Sequence, residues 1–226
     1  MTDLIVVLDV DKADDALAIV EKCEGCEWFK VGLQLFTRCG PSIVNDLQNR
    51  GKKVMLDLKL HDIPNTVGNA ARAAADLGVR MFTLHASGGK QMIEAAREGV
   101  EGTATKILAV TVLTSISDDV LREEIGIQES PTQAVVRFAN QSIAAGAHGI
   151  VCSPLEVAMV RDSLGPGPVL VTPGVRPDWA GHDDQKRVMT PGDAAKAGAN
   201  FVVVGRPILK HDDPAVAVGL IEKELC

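Results

Sequence analysis

Short apolar runs alternate with amphipathic segments along the whole chain. Several runs, such as Ile-Val-Val-Leu and Phe-Val-Val-Val, are apolar at every position rather than at every second one. Continuous apolar runs of this length are typical of parallel strands that are covered on both faces. The pattern predicts eight strands, at residues 4–8, 29–32, 53–58, 81–85, 107–112, 149–153, 169–172 and 201–204.

Segments with helical periodicity lie between these runs, and a weak repeat, a glycine between two apolar residues, precedes three of the strands. Gly78, Gly146 and Gly198 each stand where a helix C-cap would lead into the next strand. Eight strand–helix units favour a (β/α)8 TIM barrel formed as a single domain by residues 1–226, because a doubly wound sheet normally has fewer strands. The predicted helices are 14–22, 43–50, 67–77, 91–98, 132–145, 155–164 and 214–225.

Composition and charge narrow the classes of function. The chain has 46% hydrophobic residues and a net charge of −7, which fits one domain with a large core and argues against a nucleic acid or an anionic membrane as the partner. No apolar run approaches the roughly 18 residues of a membrane span, and the first residues lack the basic flank of a signal peptide. We therefore expect a cytoplasmic location.

The cysteines and histidines do not form a recognisable metal motif. The five cysteines are an odd set without regular spacing, which is expected of free thiols in a reducing compartment. Cys23 and Cys26 form a Cys-x-x-Cys pair, but a zinc or redox role would need a second pair or a Cys-His partner motif. The histidines have no ligand spacing either, so the sequence predicts no metal site.

The decapeptide at 57–66, Asp-Leu-Lys-Leu-His-Asp-Ile-Pro-Asn-Thr, ends an apolar run with concentrated charge. Side chains two apart on a strand share a face, so Asp57 and Lys59 should point the same way. Pro64 can begin a helix but cannot continue a strand, which places Asp62 in the connecting loop. An acid and a potential proton donor would then meet at a strand-to-helix junction. The alternative is a solvated salt-bridge cluster.

Polar or backbone-exposing residues also follow most of the other predicted strands. In a (β/α)8 barrel the carboxyl ends of the strands form the active face. Each such residue has a structural explanation by itself, as Asp9 does if it caps a helix. Their coincidence on nearly every unit favours a site, built from Asp9, Lys30, Asp57, Lys59, His85, Thr111, Thr114, Ser153, Pro173, Gly174, Gly205 and Arg206.

A phosphate site is predicted at the last two strands. Gly205 would let backbone amides approach an anion, and Arg206 could bind it through two parallel hydrogen bonds. The loops after the seventh and eighth strands are the usual phosphate location in these barrels, which adds Pro173 to the site.

The polar segment 174–189 is long for a strand-to-helix connection, and long loops over an active face are often lids. This lid would carry Arg176 and Gln185. A disordered insertion is the alternative, but the ring of Trp179 needs a surface against which to pack.

The decapeptide, together with Val-Leu-Asp-Val at 7–10 and Val-Gly-Arg-Pro at 204–207, resembles the bacterial branch of the orotidine 5'-phosphate decarboxylase family over essentially the whole chain. The resemblance implies a homodimer that converts orotidine 5'-monophosphate to uridine 5'-monophosphate in de novo pyrimidine biosynthesis, without a metal or an organic cofactor. Lys59 would donate the proton to C6. It would belong to an alternating charged array with Lys30, Asp57 and Asp62, the last supplied by the partner subunit.

The same resemblance implies roles for the remaining residues. Asp9, Lys30 and the partner's Thr66 would hold the ribose, and Thr114 would read the pyrimidine edge. The phosphate and the closing lid would use Pro173, Arg176, Gln185, Gly205 and Arg206.

Two other functions remain open. A magnesium-dependent sugar-phosphate decarboxylase or aldolase can share Asp-x-Lys-x-x-Asp on the same barrel, but it needs further carboxylates at neighbouring strand ends. Those positions carry Lys30 and His85 here. A non-catalytic nucleotide-binding barrel is the second alternative, and it would have no need of Lys59 as a proton donor.

Overall fold

The computed structural model describes residues 2–180 and 189–225. Eight parallel strands form a closed barrel, in which each strand pairs with the next along the chain and the eighth pairs with the first. The predicted (β/α)8 barrel is therefore confirmed. The strands are β1 (Asp3–Val7), β2 (Trp28–Gly32), β3 (Lys53–Leu60), β4 (Met81–His85), β5 (Lys106–Val110), β6 (Gly149–Val151), β7 (Val169–Pro173) and β8 (Phe201–Val204).

Helices connect the strands around the barrel. They are α1 (Ala13–Lys22), α2 (Leu33–Cys39), α3 (Ser42–Asn49), α4 (Pro64–Asp76), α5 (Gly89–Gly99), α6 (Pro131–Ala144), α7 (Val157–Leu164), α8 (Pro191–Lys196), α9 (Arg206–Leu209) and α10 (Pro214–Leu225). The short helices α2, α8 and α9 were not predicted, because they offer too few turns for a periodic pattern. Within the described ranges, no helix is long and apolar enough to cross a membrane.

Three strands end earlier than the apolar pattern predicted: β1 by one residue, at Val7 instead of Leu8, and β5 and β6 by two. The runs 107–112 and 149–153 were expected to be strands throughout, whereas β5 ends at Val110 and β6 at Val151. Val112 is apolar because it is buried above the strand ends, where it packs in the core without continuing the ladder. An apolar residue indicates a buried position, and at these positions burial does not mean that the backbone continues the strand.

Alternate side chains of each strand point into the barrel. In β1, Ile5 and Val7 belong to the interior cluster, whereas Val6 belongs to the layer between strands and helices. The other buried interior residues are Met55, Met81, Leu108, Val110, Val151, Val171 and Val203. The next inward positions after Val7 and Met55 are Asp9 and Asp57, so the strand period itself delivers charge to the open end of the barrel.

Helix boundaries agree with the stereochemical signals of proline and glycine, although α4 begins before the periodic segment 67–77. Helix α4 begins at Pro64, and Gly78, Gly146 and Gly198 have φ angles of 74°, 98° and 101°. These angles lie in the left-handed region that ends helices and favours glycine.

Candidate active site

Four alternating charges lie at the carboxyl ends of the first three strands. The Nζ atom of Lys30 is 3.1 Å from Oδ1 of Asp9 and 3.4 Å from Oδ2 of Asp57. The Nζ atom of Lys59 is 2.9 and 2.8 Å from the two carboxylate oxygens of Asp57. The prediction that Asp57 and Lys59 share a face is confirmed, and the four side chains form one continuous chain of charges.

Asp57 is the buried centre of this array. Burial by itself would raise the pKa of its carboxyl group, because a charged form is disfavoured away from water. This rise is outweighed by the ammonium groups of Lys30 and Lys59 and by the hydrogen bonds from Lys59 and Thr83. The pKa of Asp57 therefore lies below its usual value. Asp57 is therefore a carboxylate at neutral pH, and its charge holds both lysines.

Strand β3 carries a bulge near its carboxyl end that the sequence did not reveal. Met55 and Leu56 pair with Met81 and Phe82, but the next pair joins Leu60 to Leu84. Residues 57–59 of β3 therefore lie opposite a single residue of β4, as in a β-bulge. Within the bulge Lys59 has a φ angle of 51°, in the left-handed region that non-glycine residues rarely occupy.

Thr83 is the β4 residue opposite the bulge, and sequence reasoning did not select it. Its hydroxyl donates to Oδ1 of Asp57 at 2.8 Å and accepts the backbone N–H of Lys59 at 2.9 Å. The available signal was its place two residues before His85, at an inward position of the strand. No sequence pattern indicated that a bulge would bring Thr83 against Lys59.

A cleft of about 230 Å³ opens beside the array. The two lysines and Asp57 form its charged side, and mostly apolar side chains form the other, an arrangement that suits a flat polar ring. The lining residues are Lys30, Met55, Asp57, Lys59, Val110, Val112, Leu113, Thr114, Ser115, Val151, Cys152, Pro173 and Val203. Five predicted site residues, Lys30, Asp57, Lys59, Thr114 and Pro173, are thus brought together.

Asp62 and Thr66 do not line this cleft. Both are exposed at the start of α4, and the Asp62 carboxylate accepts the N–H of Ile63 at 2.6 Å. Within the described residues Asp62 forms no ion pair with Lys59 of its own chain. The loop position predicted for Asp62 is confirmed, and this residue is exposed.

The predicted phosphate residues lie around the ends of β7 and β8. Gly205 directly precedes α9. Arg206 is the first residue of α9 and is half-buried. Arg176 is buried, and its Nη1 atom donates to the carbonyl of Val175 at 2.9 Å. Pro173 lines the cleft, whereas Arg176, Gly205 and Arg206 do not. Gln185 lies outside the described residues.

The predicted packing of Trp179 is confirmed. Its ring meets the ring of His211 edge to face, with centroids 5.4 Å apart, while 40% of the residue stays exposed. This contact ties the described beginning of the segment 174–189 to the loop that follows α9.

His61 and His85 approach each other beside the cleft, with ring centroids 5.7 Å apart. Burial, followed by the charges of His61 and Lys59, holds the pKa of His85 below its usual value, so this imidazole is neutral at pH 7. In residues 2–180 and 189–225, no group of three or more His, Cys, Asp or Glu side chains could hold a metal ion.

Cys23 and Cys26 are free, buried thiols. Burial raises the pKa of Cys23 to about 11 and that of Cys26 to about 12. Because the thiolate is the reactive form, these values are typical of structural cysteines that pack as small apolar residues.

The fold and the cleft define a (β/α)8-barrel protein with a lysine–carboxylate candidate active site at the carboxyl ends of the strands. The protein-family model described as "Orotidine 5'-phosphate decarboxylase / HUMPS family" matches residues 2–221 of the chain. The chain belongs to this family, which confirms the resemblance found in the sequence.

Individual relatives agree with the family. The chain is 48% identical over 230 residues to an orotidine 5'-phosphate decarboxylase from Heliobacterium modesticaldum, covering 98% of this chain and 95% of the relative. It is 47% identical over 226 residues to the enzyme of that name from Opitutus terrae, covering 99% and 98%. The crystal structure of orotidine 5'-phosphate decarboxylase from Lactobacillus acidophilus matches with a TM-score of 0.89 and 40% identity, covering 100% of this chain and 99% of that one.

Proposed function

We propose that this protein decarboxylates orotidine 5'-monophosphate to uridine 5'-monophosphate in pyrimidine biosynthesis, and that Lys59 delivers the proton to C6. The observation that carries the proposal is the array from Asp9 through Lys30 and Asp57 to Lys59, three of whose members line the cleft. The full-length relatives named for this activity support the reaction.

The reaction breaks the bond between C6 and the substrate carboxylate. Carbon dioxide leaves, the bonding electron pair remains on C6, and the proton of Lys59 forms the new C–H bond. Before the proton is transferred, the ammonium group of Lys59 stabilises the negative charge that develops on C6. Two unit charges about 4 Å apart interact by roughly 4 kcal/mol at an effective dielectric of about 20, so a preorganised lysine is a substantial term but not the whole barrier.

Asp57 pairs with the ammonium group of Lys59 and fixes its position. Both carboxylate oxygens are within hydrogen-bonding distance of Nζ, and the depressed pKa of Asp57 keeps the carboxylate ionised. A carboxylate on the substrate would enter the same region, so repulsion by Asp57 would add to the driving force for losing carbon dioxide. The charges are held by hydrogen bonds within the protein, which limits their reorganisation during the reaction.

Groups distant from C6 supply binding energy. In the proposal Asp9 and Lys30 hold the ribose, and Thr114 reads the pyrimidine edge. The phosphate is held near the ends of β7 and β8 and by the segment that follows β7, where binding energy can order the site. The residues assigned to it are Pro173, Arg176, Gln185, Gly205 and Arg206.

The site is completed across a homodimer. The exposed Asp62, which has no ion pair with Lys59 of its own chain, would extend the array of the partner subunit, and Thr66 would contact the partner's ribose site. The net charge of −7 makes a nucleic acid or an anionic membrane an unsuitable partner. The free thiols fit a cytoplasmic location.

An absorbance assay tests the proposed reaction. Purified protein is mixed with orotidine 5'-monophosphate in the presence of EDTA, and the fall in ultraviolet absorbance is followed. We expect turnover with wild-type protein, none with Lys59→Ala, and normal turnover with Lys90→Ala, which removes an exposed lysine. Lys59→Ala should still bind uridine 5'-monophosphate. Activity that requires magnesium would favour the sugar-phosphate alternative, and binding without turnover by the wild type would favour a non-catalytic barrel.

A further inference from the structure

We propose that Thr83 is a positioning residue, whose hydroxyl fixes the backbone of Lys59 and the carboxylate of Asp57 in the arrangement used for catalysis. This inference rests on the proposed role of Lys59 as the proton donor. Thr83 acts through these two residues and does not itself line the cleft.

Thr83 is the one residue of β4 that lies opposite the bulge in β3. Residues 57–59 occupy the interval between the pairs Leu56–Phe82 and Leu60–Leu84, and Thr83 is the β4 residue in that interval. The bulge disturbs the regular ladder, and the N–H of Lys59 donates to the side-chain oxygen of Thr83 at 2.9 Å. The threonine side chain thus replaces a backbone acceptor at this point of the sheet.

The hydrogen-bond direction at Thr83 follows from chemistry. A backbone N–H can only donate, so the hydroxyl oxygen accepts from Lys59. A carboxylate can only accept, so the single hydroxyl proton goes to Oδ1 of Asp57 at 2.8 Å. One fully buried group therefore links the backbone of the proton donor to the carboxylate that holds its ammonium group.

This link matters because the backbone of Lys59 is in an unfavourable conformation. A φ angle of 51° brings the Cβ atom of a non-glycine residue close to backbone atoms, so surrounding contacts must hold it. Without the hydroxyl, Lys59 would lose the acceptor that holds its N–H, and Asp57 would lose one of its donors. The Nζ atom would then no longer be fixed at 2.8 to 2.9 Å from Asp57.

Three variants separate positioning from general stability. Thr83→Val keeps the shape of the side chain and removes the hydroxyl, whereas Thr83→Ser keeps the hydroxyl. Thr105→Val is the matched control, since Thr105 is a buried threonine whose hydroxyl donates to the carbonyl of Val79 at 2.7 Å, just before β5 and away from the array.

The first readout separates kcat from binding. We expect Thr83→Val to lower kcat for orotidine 5'-monophosphate by roughly 10- to 100-fold, the scale of misplacing a catalytic group by about 1 Å. Its affinity for uridine 5'-monophosphate should stay unchanged. Thr83→Ser should recover most of the rate, and Thr105→Val should keep it. An unchanged kcat in folded Thr83→Val, or a loss that Thr83→Ser does not recover, would overturn the proposal.

The second readout does not depend on activity. Amide hydrogen exchange of Lys59, followed by NMR, should be slow in the wild type and in Thr83→Ser and fast in Thr83→Val. Unchanged exchange in Thr83→Val would refute the positioning of the Lys59 backbone even if the protein had another activity. Wild-type protein without decarboxylase activity would instead refute the proposed function, while the exchange measurement would still decide the structural claim.

Discussion

A Cβ atom placed on Gly32 would lie 2.7 Å from the Nζ atom of Lys30 and 2.9 Å from Oδ1 of Asp9. Real Cβ contacts are longer than this, so a side chain at position 32 would displace the ends of the Lys30 and Asp9 side chains from their present positions. The backbone of Gly32, with φ −94° and ψ −179°, is open to any residue. The requirement for glycine therefore comes from the active site and not from the backbone.

We predict that Gly32→Ala displaces Lys30 and lowers kcat/KM by on the order of 10- to 100-fold, without unfolding the protein. Steady-state kinetics and thermal unfolding check this together. Gly167→Ala is the control, because a Cβ atom there would meet nothing within 4 Å. Full activity of Gly32→Ala would show that the array tolerates rearrangement at Lys30.

Arg206→Ala should weaken the binding of uridine 5'-monophosphate by about 1.5 to 3 kcal/mol, the range for hydrogen bonds to charged groups, and should barely affect uridine. The basis is the half-buried place of Arg206 directly after β8. Calorimetric titration with the two ligands measures the difference, with Lys210→Ala as an exposed control from the end of the same helix. Equal losses for nucleotide and nucleoside would mean that Arg206 does not read phosphate.

Mixing two inactive variants tests whether the site is shared between subunits. Lys59→Ala and Asp62→Ala chains are unfolded together and refolded. In a hybrid dimer one site would combine an intact Lys59 with an intact Asp62 from the other chain, so random pairing should restore activity to about a quarter of the sites. If Asp62 acts within its own chain, mixing restores nothing. A stable, active monomer in size-exclusion chromatography would also contradict the shared site.

His148 should make the protein less stable in acid. Its Nδ1 atom accepts the N–H of Ile107 at 3.0 Å, and this requires an unprotonated nitrogen. Burial, and then the positive charges of Arg97 and Lys106, hold the pKa of His148 below its usual value.

The sign of this effect follows from proton binding. Below the unfolded-state pKa of about 6.5 the unfolded chain binds a proton that the folded chain does not. The stability that neutral His148 contributes is therefore complete above about pH 6.5. It is lost as the pH falls through the lower pKa that His148 has in the folded protein. Urea unfolding at several pH values should show a smaller loss for His148→Gln than for the wild type, and identical pH slopes would rule out this contribution. His85 titrates in the same direction, so part of the slope should remain.

The sequence by itself determined the barrel and much of the charged array. Strands of a closed parallel barrel are covered by the interior on one side and helices on the other, so most of their positions are apolar and they can be recognised. The two-residue period of a strand placed Asp57 and Lys59 on one face, and Pro64 marked the start of α4. These features depend on neighbours in the chain, which is why a single sequence reveals them.

The tertiary structure decided how the array is held. The bulge at Lys59 depends on the register between β3 and β4, and the roles of Thr83 and Gly32 depend on side chains that come from other strands. The hydrophobic pattern determines which face of each strand is buried, but the bulge depends on which residues of β3 and β4 pair, and the sequence showed no sign of that shift. The charged residues could thus be found in the sequence. The roles of Thr83 and Gly32, which fix the geometry of those charges, depend on contacts between strands and could be identified only in the tertiary structure.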